Sequence, residues 1–159
     1  YLPMLGGFAL AIFQFVPESF DNRFRLSFHL PINEIKLLLY MVILGLGAII
    51  IVDLITIGGF IAVSSSFFPA EIVSASYQTM IPWFMAGLVT YLGIATAVVE
   101  PNWYLRIVLG LITYFTASLY TQGTIYMQYN HVLATYAIPI LLLTITIIFP
   151  GHRLRKGAK

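Results

Sequence analysis

From Ile35 to Val63 the chain carries only two charged side chains, Lys36 and Asp53. A run this long and this apolar has few solutions. A helix of about 20 such residues crosses the hydrocarbon core of a bilayer. Any other backbone arrangement would leave peptide groups without partners in lipid. The rest of the sequence agrees. Only 9% of residues are charged and 60% are hydrophobic, whereas a soluble domain averages about 25% charged. A soluble monomer is therefore excluded, and so is an intrinsically disordered chain. The expected fold is all-α, a polytopic integral membrane helix bundle in contact with the lipid bilayer.

Apolar runs between breakers give about five spans in a single transmembrane domain over residues 1–159: 2–16, 35–63, 81–99, 103–120 and 132–149. The first closes at Pro17-Glu18, the third at Glu100-Pro101 and the fifth at Pro150-Gly151. Glu100, Pro101 and Asn102 alone separate spans three and four. Residues 64–80 are expected to form an apolar outer loop, with Glu71 solvated. Pro139 is expected to kink span five. Gly7 with Ala11, and Gly93 with Ala97, offer small faces for close helix packing.

The basic residues orient these spans. Arg23, Arg25 and Lys36 lie between spans one and two, Arg106 follows the turn after span three, and Arg153, Arg155, Lys156 and Lys159 follow span five. Alternating spans put all eight on one side. The positive-inside rule makes that side cytoplasmic, with the C-terminus inside and Tyr1 outside. Trp83 and Trp103 fall near opposite span ends, as interfacial aromatics do. Tyr1 enters an apolar stretch with no basic segment before it, unlike a signal peptide. Further residues, with at least one more span, are expected upstream.

The segment 18–34 is the most individual. Phe20, Phe24 and Phe28 share a helical face, with Arg23 and Arg25 among them. It reads as a cytoplasmic amphipathic helix at the membrane surface. Pro31 ends it, and Asn33 with Glu34 suits the start of the next span.

Arg23, Arg25, Leu26, Leu30, Pro31, Ile32 and Asn33, followed by a long apolar helix, resemble the membrane subunit of ABC transporters of the type-2 exporter class. That family has six spans with both termini inside. Its first cytoplasmic loop holds a coupling helix that docks on an ATPase. The resemblance implies that this chain lacks only the family's first span. It implies an ATPase subunit docking on Arg23, Phe24, Arg25, Leu26, Phe28 and Leu30, and a second membrane subunit around a shared pathway. It also implies a bacterial-type inner membrane. No phosphate-binding GxxxxGK occurs here, so ATP hydrolysis would belong to a partner.

Asp53 is the one ionisable group deep in a span, roughly 25 Å along the helix from Lys36. Such a group costs about 2.5–3.5 kcal/mol on insertion scales. It is expected to face other helices or a water-filled cavity, hydrogen-bonded or protonated rather than ion-paired. It is either a substrate or proton contact or a buried polar tie. Thr113, Thr116 and Tyr120 share a face of span four, as a polar lining or as interhelical hydrogen bonds. Glu100 and Arg106 are expected to clasp the third and fourth spans, or to form a gating pair.

Other chemistries are disfavoured. There is no cysteine. His29, His131 and His152 do not lie within spans, so neither a metal site nor a haem is expected, and this chain is expected to carry no cofactor. No hydrolase motif is present, and no basic run points to nucleic acid. Two alternatives stand beside the ATP-driven transporter. One is a structural or quinone-proximal subunit of a larger membrane complex. The other is a fragment of a secondary transporter using Asp53.

Overall fold

The computed structural model describes residues 1–19, 34–122 and 133–155. Among these residues there is no strand, and six helices follow in order. They are α1 (Leu2–Ser19), α2 (Glu34–Ser64), α3 (Ala70–Val99), α4 (Trp103–Leu119), α5 (Leu133–Thr146) and α6 (Ile148–Arg155). Four stretches are long and apolar enough to cross a membrane: α1, Ile35–Ser64, α3, and Leu133–Arg153 formed by α5 and α6. At 17 residues, α4 is shorter. This all-helical, apolar architecture is compatible with an integral membrane protein. Residues 20–33 lie outside the described residues, and with them most of the amphipathic segment 18–34.

α3 is the central element. Of its apolar window 61% is buried, against 17% or less in the other membrane-length stretches. The reason is its small side chains. Ala86, Gly87, Gly93, Ala95 and Ala97 are all buried, and small residues let helix backbones approach closely where lipid supplies no hydrophobic drive. At the crossing with α1, a Cβ on Gly7 would collide with the Gly87 carbonyl, and one on Gly87 would press on the Pro3 carbonyl. Ala11 and Phe15 continue this contact into a core with Leu38, Val42, Tyr91, Leu92, Ala95, Val99 and Ile147. On another face of α3, Gly93 leaves room for Thr113 of α4.

The outer surface is correspondingly apolar. Phe13, Leu44, Ile51, Leu54, Ile55, Phe115 and Leu141 are among many large side chains that stand exposed. Contiguous exposed apolar surface on this scale marks an interaction with lipid or protein. Both α4 and the half of α2 beyond Gly45 contribute to it. From Ala48 to Val63 no residue of α2 is buried.

Three boundaries differ from the sequence expectation. α1 does not close at Pro17-Glu18 but runs through Pro17 to Ser19. Residues 70–80, expected in a loop, form the first three turns of α3. Their hydroxyls are absorbed within the helix. Ser74 Oγ donates to the Glu71 carbonyl, Ser76 Oγ to Ile72 and Thr79 Oγ1 to Ala75. Pro69 sits at the N-cap position and Glu71 in the first turn, where a negative charge suits the helix dipole. The connection from α2 is thus residues 65–69 alone. At the other end of the chain, helix resumes after Ile147 and passes through Pro150-Gly151 to Arg155. Pro150 is accommodated in the first turn of α6, where a missing N–H leaves no bond unmade. Gly151 is buried because Leu38 of α2 packs where its Cβ would be.

Candidate functional site

α1 and α2 both pack on α3 and touch each other through Gln14 and Met41. Between them lies a cavity of about 400 Å³. On α2 its wall is made by Ala48, Ile49, Val52, Asp53 and Thr56, spaced to share one helical face. On α1 it is Leu2, Pro3, Gly6, Gly7 and Leu10, and Phe84 comes from α3. Gly6 contributes open space, with no heavy atom within 4 Å of where its Cβ would be. Asp53 is the only charged residue of this lining.

Among the described residues Asp53 has no ion-pair or hydrogen-bond partner. The nearest hydroxyl in sequence, Thr56 Oγ1, donates instead to the carbonyl of Val52 at 2.8 Å. The polar tie that the sequence left open for Asp53 is therefore not made by these residues. The carboxylate is half-buried and faces an apolar chamber.

One turn beyond Leu10 on α1, toward the basic end, lies a polar knot. Gln14 Nε2 donates to the Met41 carbonyl at 2.6 Å. Tyr91 Oη donates to Gln14 Oε1 at 2.8 Å and stands 3.4 Å from the Met41 carbonyl. Three helices are pinned by one amide and one phenol. Gly45 makes this possible, since a Cβ there would occupy the place of the Tyr91 hydroxyl. Tyr91 is fully buried and Phe15 lies 6.2 Å from it, ring to ring. At the other end of the cavity Tyr1 lies 6.2 Å from Trp83.

The basic end carries a second polar cluster. Glu100 follows the last residue of α3 and is 2% exposed. Its carboxylate accepts from Arg153 Nη1 at 3.2 and 3.3 Å and from the Asn102 N–H at 3.4 Å. Arg106 does not reach that carboxylate. Its Nη2 donates to the carbonyls of Val98 and Glu100 at 3.1 and 3.0 Å, and its Nε is buried without a partner among the described residues. The clasp between α3 and α4 thus exists, but it runs through helix-terminal carbonyls, where a cation is favoured by the dipole. The side-chain ion pair belongs to α6. Ser19 Oγ of α1 donates to the same Val98 carbonyl at 3.3 Å. Asn102 caps α4 by accepting from the Tyr104 and Leu105 N–H groups.

Thr113 and Thr116 of α4, and Tyr120 just after it, lie on the packed side and do not line the Asp53 cavity, whereas Tyr104 and Tyr114 stand exposed. Thr113 is buried against Gly93 and donates to the Leu109 carbonyl of its own helix. Thr116 is half-buried one turn on. Tyr120 Oη donates to the Tyr136 carbonyl of α5 at 2.6 Å, and the two rings lie 4.5 Å apart. Arg23, Phe24, Arg25, Leu26, Phe28 and Leu30 fall outside the described residues. No group of three metal-ligating side chains occurs among the residues that are described.

Sequence reasoning singled out Asp53 and gave it neighbouring helices or a water-filled cavity to face, but not the apolar lining found here, nor Gln14 and Tyr91. Gln14 was the available signal, as a lone amide within an apolar run. No protein-family model, curated protein or solved structure matches this chain.

Proposed function

We propose that this chain is the membrane-spanning subunit of an ATP-driven transporter of the ABC type. Five spans cross the bilayer, with the basic end and the C-terminus on the cytoplasmic side of a bacterial-type inner membrane. The cavity between α1, α2 and α3 is part of the substrate pathway, and a second membrane subunit completes that pathway. A separate ATPase docks on the segment around Arg23, Phe24, Arg25, Leu26, Phe28 and Leu30 and drives alternating access.

The observation that carries this reading is the Asp53 cavity. A carboxylate kept in an apolar chamber with no partner among the described residues is expensive. Its burial stabilises nothing visible in the fold, which favours a role in binding. The resemblance of Arg23–Asn33 to a coupling helix supports ATP as the energy source.

Purification of the assembly from native membranes tests it. A chain bearing a GxxxxGK phosphate-binding motif, identified by mass spectrometry, should co-elute in fixed proportion. Replacing Arg23 and Arg25 with Glu should release it. If no such chain co-elutes, or the double replacement leaves its binding intact, this reading fails. The secondary-transporter alternative, which also centres on Asp53, then remains. It requires transport coupled to an ion gradient and abolished in Asp53→Asn.

A further inference from the structure

We infer that the Asp53 cavity binds an amphiphilic monocation, with an apolar body against α1 and α3 and a cationic head at the carboxylate. This rests on the transport reading, since it names the class of cargo that its pathway takes.

Three observations point to this class. The first is charge. Asp53 is the only charged residue of the cavity and has no cationic partner among the described residues. A bound cation supplies the counter-charge that the surrounding helices lack, whereas an anion would meet like charge in a low-dielectric wall. The second is the lining. Leu10, Ile49 and Phe84 offer apolar contact, and only Thr56 adds a side-chain hydroxyl, already committed to Val52. A sugar or peptide would leave most of its polar groups unpaired there. The third is size and access. About 400 Å³ lies within the range of small-molecule sites. Val52 lines the cavity while being 60% exposed on the surface of the bundle. The chamber therefore opens sideways between α1 and α2, toward the hydrocarbon in which an amphiphile concentrates.

The full chain in phosphatidylcholine nanodiscs tests the assignment. Tetraphenylphosphonium and tetraphenylborate have the same shape and opposite charge, and empty nanodiscs correct for partition into lipid. Saturable binding of the phosphonium is expected, with the borate at least about tenfold weaker. Asp53→Asn should weaken phosphonium binding by at least about tenfold, the scale of one lost charge-assisted contact. Gly6→Leu should abolish it by filling the chamber from α1. The fold should tolerate that side chain, because nothing stands within 4 Å of the new Cβ. A melting temperature close to that of the parent chain verifies folding of each variant.

Binding of neither ion, equal binding of both, or phosphonium binding unchanged in Asp53→Asn or in a folded Gly6→Leu would overturn the inference. So would a photocrosslinker at Thr56 that captures another protein segment as the resident of the cavity. These results are separable from the purification test. If the ATPase co-elutes but phosphonium does not bind, only the cargo class is wrong. If phosphonium binds but no ATPase co-elutes, the energy source is wrong.

Discussion

The Arg153 guanidinium on α6 donates to both oxygens of the Glu100 carboxylate at the end of α3. The acid is almost fully enclosed and the base about half exposed. Removing the base leaves a buried carboxylate with one long backbone contact. Arg153→Ala should destabilise the bundle by about 1–3 kcal/mol, the cost of leaving a buried polar group unsatisfied. Arg153→Lys should lose less. Because Arg153 is half in solvent, the difference should shrink with added salt. Thermal unfolding in detergent at two salt concentrations measures both effects.

The helix crossing of α1 and α3 should be intolerant of any Cβ. Gly7→Ala or Gly87→Ala should destabilise by about 1–3 kcal/mol through overpacking of backbone against backbone. Gly47 and Gly58 on α2 have nothing within 4 Å of the added carbon. Alanine at either should be neutral or should stabilise, by up to about 1 kcal/mol of helix propensity. Opposite signs for the two pairs of glycines, read from unfolding curves, would locate the packed crossing.

Gln14 and Tyr91 should be energetically coupled. Each of Gln14→Leu and Tyr91→Phe breaks the same hydrogen bond, so the double variant should cost less than the sum. A coupling of about 0.6–1.7 kcal/mol is expected, the span seen for interhelical hydrogen bonds in membranes. A double-mutant cycle on unfolding free energy measures it. Additive losses would mean that the knot does not hold α1 to α3.

Asp53 should behave in the opposite way from these packing residues. With no partner to lose among the described residues, Asp53→Leu should leave stability unchanged or raised, while transport is lost. Insertion scales put the gain at up to about 2.5–3.5 kcal/mol. Stability from unfolding and activity from vesicle transport, measured on the same preparation, give the comparison. This divergence is the trade-off expected of a residue kept for function.

The scarcity of charge made the helical class and the basic end legible, because a few charges can be placed one by one on alternating spans. Asp53 was legible for the same reason, as the single exception. A cavity facing it was one expectation, but its lining was not legible, because it joins residues of α1, α2 and α3 far apart in sequence, which no local pattern encodes. Nor was the first part of α3. Ser74, Ser76 and Thr79 read as loop residues until their hydroxyls are seen to bond to carbonyls of the same helix. Glu100 and Arg106 were paired by nearness in sequence. The geometry instead gives Arg106 the helix-terminal carbonyls and brings Arg153 to the acid from 53 positions away.

The absence of cysteine makes the most direct measurement straightforward. Ile49→Cys places a single thiol in the wall of the cavity, and Ile55→Cys places one on the exposed side of α2. In the purified assembly, a water-soluble thiol reagent is applied without nucleotide and again with ATP trapped by vanadate. If the cavity belongs to an ATP-driven pathway, the thiol at position 49 is modified in one state and protected in the other. The thiol at position 55 is then equally unreactive in both. A position-49 thiol that never reacts, or that reacts at the same rate with and without trapped nucleotide, would contradict the account.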